Sequence, residues 1–514
     1  MIKTFNRRRL VLTMIGVVLG ALGCVYAFGV LTDPPVLQTS PETSEVTGAQ
    51  VQQFCAACHA YPPPQTFPRH AWRKEVEQGY AFFRNSTLDI DVPPIEGVIK
   101  YYEDRAPKNL TLLPAETSAA DPPVGYDPPA IGIPPGEQYA AISNINLVHL
   151  SDERKLDLLA CDMRAGSVMV MKPYELSPSF RVLASMPFPA HAEVVDLDGD
   201  GIKDILVANL GSFGPTDDKK GSVVWLKGKP DGTYLPITLL HDVGRVTDVQ
   251  AADFRGAGKL DLVVAVFGWR NTGEILYLEN QTTDWNNPRF VPRVLDNRHG
   301  SIHVCVGDLN KDGKPDFVAL ISQEHETVIA FLNEGEGKFR KETIYTAPHP
   351  AYGSSGIQLV DLNGDDRLDV LYTNGDTLDP PYLLKPYHSV QWLENKGTFP
   401  FEHHHITAMP GAMRAIAADF RGAGRQDILA VSFLPKENFP DRRTHKVDSI
   451  LYLEQSEHGV FVRYSLEKGT CDHMTCAAGA WNGDGQVHFA VGNFPLSKQY
   501  PEPVAVSLWK KAVK

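Results

Sequence analysis

Phe54 to Pro64 reads FCAACHAYPPP, in which Cys55, Cys58 and His59 form the pattern C-x-x-C-H. Two thiols three residues apart can each take one vinyl group of a haem, and the histidine that follows can lie against the iron as proximal ligand. The same cysteines would also suit a thioredoxin-like redox pair or half of a zinc site. The first wants a strand–helix–strand setting and the second wants another C-x-x-C. Neither is found, and the adjacent histidine favours haem c. No methionine occurs between Val51 and Pro107 to serve as the second axial ligand. His70, the other histidine of that stretch, is either a distal ligand or a solvent-facing residue at the start of a helix. Met409, Met413 or Met474 from further along, or an open sixth site, are the remaining choices. A filled site makes an electron carrier, and an open one allows small-molecule or peroxide chemistry.

Acidic nonapeptides carry a second chemistry. DLDGDGIKD begins at Asp196, DLNKDGKPD at Asp308 and DLNGDDRLD at Asp361. DFRGAGKLD at Asp253 and DFRGAGRQD at Asp419 are degenerate copies, and HLSDERKLD at His149 and AWNGDGQVH at Ala480 are weaker ones. They recur every 47 to 61 residues. Each lies between an alternating strand and an apolar one, such as ILVANL or LVVAVF. A third strand with an aromatic residue and leucine follows (VVWLKG, ILYLEN, VQWLEN), then a turn and a fourth strand. Four strands repeated about seven times predict a seven-bladed β-propeller.

These units resemble the FG-GAP (VCBS-like) repeat family, whose propellers carry calcium in a hairpin loop. The resemblance runs from near Ile142 to the C-terminus. It implies calcium ligands at loop positions 1, 3, 5 and 9 through side chains and at position 7 through a carbonyl, an all-oxygen set of the kind calcium requires. The first loop then offers Asp196, Asp198, Asp200, Ile202 and Asp204. The second offers Asp308, Asn310, Asp312, Lys314 and Asp316, and the third Asp361, Asn363, Asp365, Arg367 and Asp369. In the third, Asp366 replaces the usual glycine. The two DFRGAG loops have arginine at position 3, so Arg255 is expected to pair with Asp253 and Asp261, and Arg421 with Asp419 and Asp427, in place of metal. About three calcium ions are expected.

In the strands leading into the loops, residues two and four before the anchor are apolar, and those three and five before it are largely polar. The polar set includes Asn144, Asn146, His191, Glu193, Asp248, Gln250, His303, Cys305, Gln358 and Arg414. If these strands are innermost, the polar set rings the central channel, either as a ligand site or around water. Gln323 to Glu326 (QEHE) and His403 to His405 read as exposed loop residues. Cys471 and Cys476, in CDHMTC, are spaced for a local disulfide or, with His473 and Met474, for copper.

Other elements must position the haem motif. GAQVQQFCAACH can start as a helix. Arg69 to Phe83 places Trp72, Val76, Tyr80 and Phe83 at helical period, and Ile95 to Arg105 follows two prolines. This stretch is similar to a short cytochrome c domain. Before it, basic Asn6 to Arg9 precede an apolar run from Leu10 to Leu31, long enough to cross a bilayer. ALGC, ending at Cys24, is an imperfect lipoprotein box, so anchor, lipoprotein and cleaved leader are all open.

The expected organisation is an anchor at 1–31, a linker at 32–50, a haem domain at 51–108, a proline-rich linker at 109–138 and the propeller at 139–514. The 514 residues are 43% hydrophobic and 22% charged, as in globular chains, and the net charge of −13 argues against a nucleic-acid surface. The chain reads as an extracytoplasmic, inner-membrane-attached haem protein with a redox partner. Its calcium-braced propeller binds a protein or polysaccharide. A periplasmic oxidoreductase with its active site in the channel, and an adhesion protein with a redox-sensing haem, are the alternatives.

Overall fold

The structure, a computed structural model, describes residues 46–111, 116–132, 139–497 and 505–512. The anchor expected at 1–31, with its lipoprotein box, and most of the first linker lie outside these residues. Among the described residues, no helix is long and apolar enough to cross a membrane.

Three helices come first: α1 (Gly48–Cys55), α2 (Trp72–Arg84) and α3 (Ile95–Arg105). Helix α1 begins inside the expected linker because Thr47 and Gln50 form a capping box. The Thr47 hydroxyl accepts from the Gln50 amide, and the Gln50 side chain accepts from the Thr47 amide at 2.9 Å. Val51, Phe54, Trp72, Val76, Tyr80, Val98, Ile99 and Tyr102 make one apolar cluster. Trp72 and Tyr102 stack face to face, 3.8 Å between ring centres. These helices sit where the 3.6-residue period places them.

The rest is seven four-stranded antiparallel sheets, the blades of a β-propeller. The innermost strands are Ile142–Val148, Pro189–Val195, Val246–Ala252, Ser301–Gly307, Ser354–Val360, Ala412–Ala418 and His473–Gly479. We number the blades 1 to 7 in that order. Second strands such as Asp204–Asn209 and Asp261–Val266 are buried along their whole length, since a neighbouring blade covers each face. That is why they read as continuous apolar runs rather than alternating ones. The third-strand aromatics Trp225, Tyr277, Phe331, Trp392 and Tyr452 are all buried.

Blade 7 is closed by a strand from far upstream. Ala130–Gly132 pairs with Val506–Trp509, so the ring is fastened by joining the two ends of the propeller sequence. The propeller therefore begins before residue 139. Around this strand the proline-rich segment is held as well. Ala119 donates to the Arg463 carbonyl at 2.8 Å, Asp127 donates to the Lys510 carbonyl at 2.9 Å, and Glu116 accepts from the Ala408 amide at 3.1 Å. Its prolines forbid a helix but leave it free to run extended along the blades.

The helical part meets the propeller on the end opposite the acidic loops. The Arg270 guanidinium lies 4.0 Å above the Phe82 ring of α2. Lys385 and Asp379 act electrostatically on Glu75 of α2, and Glu324 acts on Cys58. Arg270, Glu324, Asp379 and Lys385 all lie in loops joining second to third strands of blades 3, 4 and 5.

Candidate functional site

Cys55 closes α1, and Cys58 and His59 follow in the turn beyond it. Both thiols are free, Cys55 half-buried and Cys58 exposed. The His59 Nδ1 lies 2.8 Å from the Ala60 carbonyl. A proton on Nδ1 shared with that carbonyl leaves the Nε2 lone pair available to a metal. Burial raises the Cys55 thiol, with Cys58 adding to it against the Tyr102 hydroxyl. Burial and then Glu324 raise Cys58. His70 is exposed on the turn Arg69–Ala71. Met409 is fully buried between blades 5 and 6, and Met413 and Met474 pack in an apolar cluster with Phe433 and Phe494.

The acidic loops share one backbone. In five of them the first aspartate accepts from the amide of the sixth residue: Gly201 at 3.0 Å, Gly258 at 2.7 Å, Gly313 at 2.9 Å, Asp366 at 2.8 Å and Gly424 at 2.8 Å. Asp366 takes the left-handed φ of +66° and so keeps the turn without glycine. The ninth residue is a fully buried aspartate in six loops. Asp204, for example, accepts from Leu197 at 3.0 Å and from Gly228 at 2.7 Å. The first and ninth positions thus form the loop through amides, whatever its ligand content.

What fills the loop differs between blades. Carboxylate oxygens of Asp196, Asp198 and Asp204 lie within 4.8 Å of one another, a set that fits a calcium ion. Basic side chains rest on the acidic loops: Lys227 on Asp198, Lys314 on Asp312 at 3.0 Å and Arg367 on Asp365. Burial, and then Asp365, push Asp369 up to about 6, while burial also raises Asp204 and Asp316. Inside the loops Asp200 accepts from the Ile202 amide at 2.8 Å, Asn310 from the Asp312 amide at 2.9 Å and Asn363 from the Asp365 amide at 3.1 Å.

In the DFRGAG loops the guanidinium pairs with the ninth residue alone. Arg255 forks onto Asp261 at 2.8 and 2.9 Å, and Arg421 onto Asp427 at 2.9 and 3.0 Å. The expected pairing with Asp253 and Asp419 does not form, because those carboxylates are taken by loop amides. Two further partners in each of these loops were missed from sequence. The Tyr277 and Tyr452 hydroxyls donate to the same aspartates, and Glu279 and Glu454 take the outer face of each arginine. The signal was legible: both arginine loops precede a third strand reading L-Y-L-E, ILYLEN and ILYLEQ.

The inner strands do gather the polar ring. All seven carry a β-bulge immediately before the residue five ahead of the loop. Bulges re-aim the next side chain. Here they bring together His191, Asp248, His303 and Arg414. Asp248 lies 2.6 Å from His191 Nδ1 and 3.3 Å from His303 Nδ1, and the Arg414 Nη1 is 3.4 Å from His303 Nε2. Glu193 stands 4.0 Å from His191. Burial alone would lower His191, but Asp248 and Glu193 lift it above its ordinary value. Burial opposes ionisation of Asp248, yet the two histidines hold it well below the usual carboxylate range. Burial, aided by Arg414, depresses His303 despite Asp248. Burial raises Glu193 and Cys305. Asn144 Oδ1 is buried without a hydrogen-bond partner.

Residues three before the loop reach the neighbouring blade as well. Gln250 accepts from Val306 at 2.8 Å, Gln358 accepts from Ala417 at 2.7 Å, and Asn146 donates to Ala192 at 2.8 Å. Each staples its blade to the next, as Asp248 also does by accepting from Val304 at 3.1 Å.

Cys471 and Cys476 are both buried free thiols. Cys471 lies 3.3 Å from Ser449 Oγ, and Cys476 packs in the core of blades 6 and 7. His403 to His405 lie on the outer strand Glu402–Ala408, not in a loop. His403 bonds Gln391 at 2.6 Å and His404 bonds Glu394 at 2.9 Å.

Comparison with known families agrees with this architecture. A family model described as FG-GAP-like repeat matches residues 196–264 and 308–372, each match opening on an intact acidic loop. No curated protein matches the chain. The chain carries FG-GAP repeats folded as a seven-bladed β-propeller.

Proposed function

We propose that this is an extracytoplasmic electron-transfer protein in which Cys55 and Cys58 hold haem c and His59 is its proximal ligand. The propeller, stabilised by calcium, presents the haem segment and binds a partner. The observation that carries the reading is the state of the motif: two unpaired thiols beside a histidine whose Nδ1 is engaged by a carbonyl. A catalytic redox pair wants a thiol of lowered pKa, and both thiols here are raised. When bound, haem supplies one-electron chemistry. The chain's own part is to hold the proximal imidazole in one orientation through the Ala60 carbonyl and to seat Cys55 against the apolar cluster of Phe54 and Tyr102.

Calcium would sit in the Asp196, Asp308 and Asp361 loops, where burial makes the ninth carboxylate costly to ionise without a cation. The anchor and the periplasmic side of the inner membrane remain part of this reading through the sequence alone.

A second reading has one observation in its favour. The motif faces the propeller through Glu324, and the channel holds a His191–Asp248–His303 cluster around the buried Asp248. An oxidoreductase using the channel as its site and the haem as electron outlet would use both. Spectra of the reduced and oxidised purified protein test the first reading, since they report haem type and sixth ligand. A spectrum without haem bands rejects it. Turnover that is lost in Asp248→Asn while those bands persist would favour the second.

A further inference from the structure

His299 lies in the link between blades 3 and 4, and Glu324 and His325 lie in the hairpin between second and third strands of blade 4. Their ligand atoms come within 4.8 Å of one another. His299 Nε2 is 3.0 Å from Glu324 Oε1, yet this buried nitrogen has no partner in hydrogen-bond geometry. The two atoms are close without being aligned for a shared proton. The rings of His299 and His325 stand 5.1 Å apart, tilted by 60°.

The cluster is built on a fixed frame. Ser322 donates to the Gly300 carbonyl through its amide at 2.8 Å and its hydroxyl at 3.1 Å, tying the two segments together. Gly300 has φ of +88°, and a Cβ there would come 2.9 Å from the Ser322 carbonyl oxygen. Gln323 and Glu326, on either side of the Glu324–His325 pair, both adopt left-handed φ, +55° and +41°. Such conformations are unfavourable for residues with a side chain and persist where the surroundings impose them. Glu326 is locked by the amides of Gly353 at 2.9 Å and Ser354 at 2.8 Å.

We propose that His299, Glu324 and His325 are three ligands of a divalent transition-metal ion, zinc being the simplest, with the fourth position left to water. Two imidazoles and a carboxylate with one open place are a donor set that zinc accepts, with bonds of about 2.0–2.2 Å. The ion would lie on the propeller end that carries the helical part, near Cys58. Calcium loops, made of oxygen, do not compete for this ligand chemistry.

The test is zinc binding by the full chain, stripped with chelator and then saturated with calcium, read as bound zinc after equilibrium dialysis. The wild type is expected to bind one zinc that His325→Ala and His299→Ala lose, a fall beyond the ~10–100-fold caused by altering outer-shell partners. Glu324→Gln, nearly isosteric and partly exposed, is the deciding variant if a histidine variant fails to fold, and it too should weaken zinc. Equal zinc binding by wild type and Glu324→Gln overturns the proposal. So does a wild type that binds none, including the case in which these histidine variants change the axial-ligand spectrum of a bound haem instead. Neither result depends on the haem reading, because zinc content is measured independently of colour.

Discussion

Arg421 shows what a single side chain contributes. Its guanidinium binds Asp427 twice, Glu454 once and the Gln455 carbonyl at 2.9 Å, while Asp427 itself is fully buried. Removing one partner of a buried pair strands the other charge, at a cost of about 3–5 kcal/mol. Arg421→Ala is expected to lower the denaturant midpoint accordingly, and added calcium should not restore it, because position 5 of that loop is alanine. Blade 2 is the opposite case. Lys227 occupies Asp198, so a calcium ion must displace it. Lys227→Met should tighten calcium binding and enlarge the fall in melting temperature on chelation; an unchanged affinity in a calcium titration would refute calcium at Asp196. At this scale spacing in the sequence located the acidic loops with their first and ninth carboxylates. It did not disclose Tyr452, which reaches Asp427 across a strand pair, or Glu454, which takes the outer face of Arg421, nor His299, which meets Glu324 only through the fold.

Elements explain why the channel cluster exists. A bulge in each inner strand turns His191, Asp248, His303 and Arg414 toward one another, and the bulge residue often fastens the next blade. Ser143 donates to Pro189 at 2.9 Å, Thr247 to Ser301 at 2.8 Å and Ser355 to Ala412 at 2.8 Å. Alternation in sequence was enough to sort polar from apolar positions, but a bulge has no period. Gln250 and Gln358, expected in the channel, also bond the backbone of the next blade. The closing strand was illegible for a similar reason. Ala130–Gly132 is three residues long and sits among prolines, so only its pairing partner reveals it. A chain starting at residue 139 should melt lower and be cleaved faster near Val506–Trp509, as read by limited proteolysis; identical melting would mean this strand does not close the ring.

For the whole molecule, the junction of helices and propeller is a thin one with a titratable group in it. Burial pushes Glu75 up to about 7 from an ordinary 4.5, Lys74 and Lys385 opposing and Asp379 assisting. A carboxyl raised in the folded state stabilises when protonated. Its contribution is full below the unfolded value and is lost as pH rises through about 7. The native protein should therefore be less stable at about pH 8 than at about pH 6 by roughly 1–2 kcal/mol from this group. Glu75→Gln should flatten that interval in denaturation curves, and an unaltered slope would show that Glu75 is not buried at the junction.

The haem claim is tested most directly by the mass and iron content of the mature protein after denaturation, beside Cys55→Ala and Cys58→Ala made in a host that attaches haem. The account predicts one porphyrin retained covalently by the native sequence, with each substitution removing a thioether link. A denatured native chain with no added mass and no iron would contradict it.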